Sequence, residues 1–158
     1  LLLPGASVRL YLSGGESDAI AALFAGTTLK AIVMEGEVSA ASALKVCYAA
    51  WNKGATALLG QIRALAQQEG VDQALLDEWK IFRPDIPERS EMITVSARKA
   101  WRWIAEMEEI AAGFEAAGMP GGFHRAAADV YRRLEGFKEA ARPAPFAEVT
   151  AVLRLRKS

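Results

Sequence analysis

Residues 39–70 read SAASALKVCYAAWNKGATALLGQIRALAQQEG, and this stretch decides the fold. Apolar side chains recur at Leu44, Tyr48, Trp51, Ala55, Leu58, Ile62 and Leu65, in steps of four and three without a miss. That spacing predicts one inward face of an α-helix running from Ser39 to Gln68. At 1.5 Å per residue such a helix is roughly 45 Å long, so shorter elements pack around it. A polar row runs beside the apolar one: Ser42, Lys45, Asn52 and Thr56, interrupted by Ala49. Lys45 and Asn52 lie within about 20° of each other around the helix, roughly two turns apart. On periodicity alone Lys45 is a solvated lysine, although a lysine so placed can also sit at the edge of a buried seam.

Composition narrows what surrounds this helix. A chain of 158 residues, 52% of them hydrophobic, is enough for one packed core. Lysines and arginines balance aspartates and glutamates at 19 each, which leaves no global field for nucleic acid or an anionic membrane. One cysteine and one histidine are too few for a zinc site of the usual kind, so no metal is expected. No apolar run reaches the length needed to span a bilayer. The opening residues LLLPGASVRLYL lack the positive n-region of a signal peptide, and the chain reads as the back half of something longer.

Outward from the long helix, the preceding segment suggests a β-α-β unit. Val8 to Leu12 alternates and stops at Ser13-Gly14-Gly15. Ser17 or Glu16 opens a short helix with Ile20, Leu23 and Phe24 facing inward, ended by Gly26. Ala31 to Met34 reads as a buried strand. After the long helix come a Gly70 cap and a short helix capped by Asp72 that carries Ala74, Leu75, Leu76 and Trp79. Pro84 and Pro87 make Phe82 to Arg89 a loop. A second long helix from Ser90 keeps Met92, Val95, Ala100, Trp103, Ile104, Met107, Ile110, Ala111 and Phe114 on one face, and stops at Gly118-Met119-Pro120. A third spans Phe123 to Leu134 with Ala127, Val130, Tyr131 and Leu134 inward. A last short helix covers Phe146 to Leu153, before the basic end at Arg154, Arg156 and Lys157. Cys47 reads as core, His124 as a capping or packing residue, and Trp51, Trp79, Trp101 and Trp103 as core or interface.

Two separated stretches resemble the β-hydroxyacid dehydrogenase superfamily, which includes 3-hydroxyisobutyrate and 6-phosphogluconate dehydrogenases. In that family the nucleotide-binding domain ends in a strand, a helix and a strand, followed by the motif G-x-G-x-x-x-K-x-x-x-N with a catalytic lysine. Here Gly36 is followed by VSAASALKVC, with Lys45 at the motif lysine. Ser39 and Ala41 replace the glycines, small residues that still permit close approach. Ala49 replaces the asparagine, and Asn52, one turn on, is the available substitute. The stretch ARKAWRWIAEMEEIAAGFEAAGMP resembles the family's K-D-L-x-L-A-x-x-x-A segment and G-x-P turn, with Lys99 at a lysine placed near the cofactor. Ala100 stands for the aspartate and Trp101 for the leucine. The segments AAWNKGATALL, EMEEIAAGF and GFHRAAADVYRRL are similar to the C-terminal domain of a bacterial 6-phosphogluconate dehydrogenase-like subgroup.

The resemblance implies an NAD(P)-dependent oxidoreductase that oxidises a small β-hydroxy acid by hydride transfer to NAD or NADP. The hydroxyl proton needs a base with a pKa near the operating pH. A free lysine near 10.4 is about three units too high, roughly 4 kcal/mol, and burial beside a cationic nicotinamide acts in the required direction. Lys45 is then the catalytic base, Ser42 and Asn52 bind substrate, and Lys99 contacts cofactor. The implied fold is mainly α: a helical bundle around the long helix over 38–158, preceded by a β-α-β edge of a Rossmann-type domain over 1–37. A cytoplasmic homodimer, formed through the helical domain and inactive without its nucleotide-binding half, completes the expectation. The competing reading is a non-catalytic helical ligand-binding or dimerisation module, in which Lys45 and Lys99 are ordinary surface residues.

Overall fold

The computed structural model describes residues 8–154; the expectations for residues 1–7 and for Arg156 and Lys157 lie outside them. The chain is mainly helical, with a short two-stranded parallel sheet near its N-terminus. It divides into two compact units between Tyr48 and Ala49, a point inside the long helix.

In the first unit β1 (Val8–Leu12) runs parallel to β2 (Leu29–Val33), with Val8 opposite Leu29 and Leu12 opposite Val33. Parallel strands require a crossover, supplied here through α1 (Ser17–Ala22). The inward-facing expectation for Ile20 and Leu23 fails: both are exposed, Leu23 at 77%. Nor is β2 a buried strand, for Lys30 and Val33 are exposed and its other residues half-buried. Two strands and one short helix offer too little second layer to cover these side chains.

The long helix α2 spans Ala40–Gln68. It ends where Gly70 adopts φ +72°, with Val71 N–H donating to Ala66 O and Gly70 N–H to Gln67 O. Gly118 at φ +77° closes α5 (Trp103–Ala116) by the same pattern, the two helix stops expected from sequence.

The second unit corrects the inward face of α2. Tyr48, Trp51, Leu58 and Leu65 are exposed, Tyr48 at 70% and Trp51 at 60%. The buried row is Ala50, Gly54, Ala57 and Ala64, each one residue before or two after the expected one, roughly 100° round the helix. Small residues win because they let neighbours approach closely. A Cβ on Gly60 would stand 2.8 Å from Ile93 Cγ1, and one on Gly54 3.2 Å from Phe123 Cε1. Cys47, expected in the core, is exposed because it precedes this row.

Four further corrections concern the helices packed on α2. Asp72 does not cap α3 (Asp72–Phe82); it is the first helical residue, and its carboxylate pairs with Arg63 instead. The predicted loop over 82–89 shrinks because α4 (Ile86–Ala97) accepts Pro87 in its first turn, where no N–H partner is lost. Within α4, Ser90, Ile93, Ser96 and Ala97 are buried while Met92 and Val95 are exposed. The second long helix is also broken. A 3-10 turn at Ala100–Arg102 separates α4 from α5 (Trp103–Ala116). The cause is at Arg98, whose carbonyl accepts from Glu139 N–H at 3.1 Å and so leaves the helical ladder; its guanidinium also donates to Ala140 O.

The core of this unit gathers Ala57, Ala64, Ile93, Met107, Ile110, Tyr131, Leu134, Val149 and Leu153. Helix α6 (Gly122–Arg133) contributes its expected face: Ala127, Val130, Tyr131 and the following Leu134 are all buried. Tyr131 also donates to Lys53 O at 2.6 Å, and burial raises its phenol pKa well above the ordinary value. Helix α7 (Phe146–Leu153) closes the core with Val149 and Leu153.

Among the described residues of this unit the buried charge is Arg63, with 4% of its surface exposed. Its guanidinium grips both Asp72 oxygens, donates to Ser90 Oγ at 2.8 Å and lies 4.5 Å from the centre of the Phe146 ring. One side chain on α2 therefore ties α3, α4 and α7 together. Nearby, Thr150 Oγ1 donates to Gln67 Oε1 at 2.6 Å.

Candidate functional site

The first turn of a helix leaves N–H groups without partners inside the helix. For α2 one of these is met from another element. Ser13, just after β1, accepts from Ala41 N–H at 3.1 Å and donates from the same Oγ to Val38 O at 2.7 Å. The start of α2 is thus fixed to the end of β1, and Lys45 follows one turn later.

Around that turn Tyr11, Ala41, Ser42, Leu44, Lys45 and Tyr48 line an open pocket of about 410 Å³. This size suits a single small molecule. Ser42 and Lys45 meet there because they lie three apart on the helix, hence on one side of it. Tyr11 comes from the strand. Among the described residues Lys45 is the one charged group lining the pocket, so its field favours an anion. An amine, a serine hydroxyl and two phenols around one cavity can exchange a proton and hold a small polar molecule by its oxygens.

The other two residues expected at the site belong to the second unit. Asn52 is half-buried on α2, and its backbone carbonyl accepts from Thr56 Oγ1 at 2.8 Å. Lys99 is exposed at the joint between α4 and α5, where its N–H donates to Ser96 O at 2.9 Å. Neither lines the pocket around Lys45. A dinucleotide would also need a backbone cradle for its pyrophosphate. The turn at Gly14 does not suit that role, because Val38 Cγ2 already stands 3.0 Å from the place of a Gly14 Cβ. The residues of this turn therefore give no grip on a dinucleotide's phosphates.

Tyr11, Ser13 and Tyr48 were missed as site residues. The alternation of Arg9, Tyr11 and Ser13 was a readable signal, since every second residue of a strand shares a face. Tyr48 was hidden by its place in the apolar row of α2. His124, in contrast, packs as expected. It is buried between Phe114 and Phe123, ring centres 4.7 and 5.3 Å away, and burial lowers its pKa.

Comparison with known proteins adds two findings. Residues 66–134 match the family model described as a domain of unknown function, DUF1932. That domain is known as the C-terminal domain of NAD(P)-dependent 3-hydroxyacid dehydrogenase-like proteins. The crystal structure of a conserved hypothetical protein from Sinorhizobium meliloti 1021 is similar in fold, with a TM-score of 0.73 and 24% identity over 93% of this chain. The chain spans about half the length of that protein, 51%. No curated protein matches this chain. No helix among the described residues is long and apolar enough to cross a membrane.

Proposed function

We propose that this chain is the C-terminal part of a cytoplasmic NAD(P)-dependent oxidoreductase acting on a small β-hydroxy acid, with Lys45 as its general base. The observation that carries the reading is the shared pocket of Lys45 and Ser42 at the start of α2, in a chain whose residues 66–134 match a domain found in dehydrogenase-like proteins. Lys45 Nζ takes the substrate's hydroxyl proton during oxidation and returns it during reduction. Ser42 orients that hydroxyl. The family resemblance also assigns substrate binding to Asn52 and cofactor contact to Lys99. NAD or NADP, bound mostly outside this chain, supplies the hydride chemistry when present.

Kinetics of the full-length enzyme test this. Lys45→Ala lowers kcat by about 10²–10⁴-fold and leaves cofactor affinity nearly unchanged. Lys45→Arg fails almost as badly, because guanidinium does not release its proton near neutral pH. Lys99→Ala weakens cofactor binding with a smaller loss in kcat. Turnover of Lys45→Ala at the wild-type rate would favour the rival reading, a non-catalytic helical module.

The reading includes a homodimer through the helical domain, supported by the exposed apolar row of Trp51, Leu58 and Leu65 on α2. Sedimentation at tens of micromolar is expected to give a dimer that Trp51→Glu with Leu58→Glu dissociates. A monomeric wild type would remove the dimer from the proposal.

A further inference from the structure

The wall of the Lys45 pocket that comes from β1 has a chemistry of its own. Arg9 and Tyr11 are two apart on the strand, so their side chains emerge on the same side. Arg9 Nη1 donates to Tyr11 Oη at 3.4 Å. That contact uses a lone pair of the phenol oxygen and leaves its hydrogen for another acceptor. It also brings a second positive charge close to the pocket, next to the side Tyr11 lines. An anionic oxygen placed in the pocket would therefore meet the phenol hydrogen from β1 and the ammonium of Lys45 from α2. The cap that Ser13 gives Ala41 holds these two walls together.

We propose that Tyr11 is a substrate-binding residue of this pocket, its hydroxyl, backed by Arg9, receiving the carboxylate of the hydroxy acid whose alcohol faces Lys45 and Ser42. The inference rests on the function proposed above and deepens it. A β-hydroxy acid carries its carboxylate two carbons from its alcohol, so a pocket that reads both ends needs one donor group on each wall. Lys45 and Ser42 serve the alcohol end. Tyr11 serves the acid end, and it would explain why a pocket on α2 has an aromatic donor on the strand. Val8, Leu10 and Leu12, on the other side of β1, bear no polar group and take no part.

The test titrates the chain with 3-hydroxybutyrate and separately with butane-1,3-diol, which keeps the alcohol and lacks the carboxylate, following amide resonances of residues 9–13 and 40–48. The wild type is expected to bind the acid, and Tyr11→Phe to weaken that binding by about tenfold, the effect of one hydrogen bond to a charged acceptor. Diol binding should be the same in both proteins. Phenylalanine keeps the ring, and unshifted resonances elsewhere confirm the fold. The proposal is overturned if Tyr11→Phe binds the acid as tightly as wild type, if both ligands weaken equally, or if the wild type shows no shifts with the acid. Lys45→Ala separates the two levels. Should it weaken binding while Tyr11→Phe does not, Tyr11 falls and the function stands. Should Tyr11→Phe weaken binding while Lys45→Ala does not, the carboxylate contact stands and Lys45 adds nothing to ground-state binding, its part as base being read from kcat alone.

Discussion

From Ala40 to Tyr48, α2 contains no fully buried residue, whereas from Ala49 to Ala66 it contributes nine. The first stretch turns polar groups toward a pocket and is held by a serine from β1. The second presents alanine and glycine to its neighbours and anchors them with one buried arginine. Both stretches belong to one continuous helix with similar composition. The difference lies in what packs against each. Where close-packed helices surround α2, small residues are selected because larger ones collide. Where only a two-stranded sheet stands nearby, side chains remain available for chemistry. Stability should therefore respond to changes in the second stretch, and activity to changes in the first.

The largest stability effect is expected at Arg63. Replacing it with alanine leaves Asp72 without its partner, opens space beside Phe146 and deprives Ser90 Oγ of a donor. Breaking such a buried pair costs about 3–5 kcal/mol, measurable by denaturant titration. A loss below about 1 kcal/mol would mean that α3, α4 and α7 are held by apolar contacts alone.

A smaller loss is expected for Gly60→Val. The new side chain meets Ile93, itself fully buried, and overpacking of this kind costs about 1–3 kcal/mol. Leu65→Ala, which the simple periodicity would make the more damaging change, should alter stability by less than about 0.5 kcal/mol in dilute, monomeric chain, since Leu65 is 59% exposed. The ordering of these two variants distinguishes the small-residue face from the large-residue face as the one that packs. Reversal would restore the face read from sequence.

That reading found the helix and misjudged its orientation for a definable reason. Tyr48, Trp51, Leu58 and Leu65 repeat at helical spacing as well as Ala50, Gly54, Ala57 and Ala64 do, and hydrophobicity favours the larger set. Close approach to Ile93 favours the smaller one, and Ile93 lies in another helix, so no local pattern announced it. The glycine stops at Gly70 and Gly118 were legible because a positive φ is a local requirement. The break at Arg98 was not, because Glu139 and Ala140, which draw it out of the ladder, come some forty residues later. Asp72 looked like a cap for the same reason: its real partner, Arg63, sits across the Gly70 turn. That Ser42 and Lys45 share one side of α2 was legible from helical spacing. Tyr11 was legible as one of a polar row on a single face of β1 but not as a neighbour of Lys45, because pairing a strand residue with a helix residue needs the tertiary arrangement.

On the proposed mechanism Lys45 carries the proton. Its most direct test is chemical rescue of the full-length Lys45→Ala enzyme by methylamine. Added amine is expected to restore β-hydroxy acid oxidation in proportion to the free-base concentration, and to leave wild type and Lys99→Ala unchanged. Absence of rescue in an enzyme that still folds and binds cofactor and substrate would contradict it.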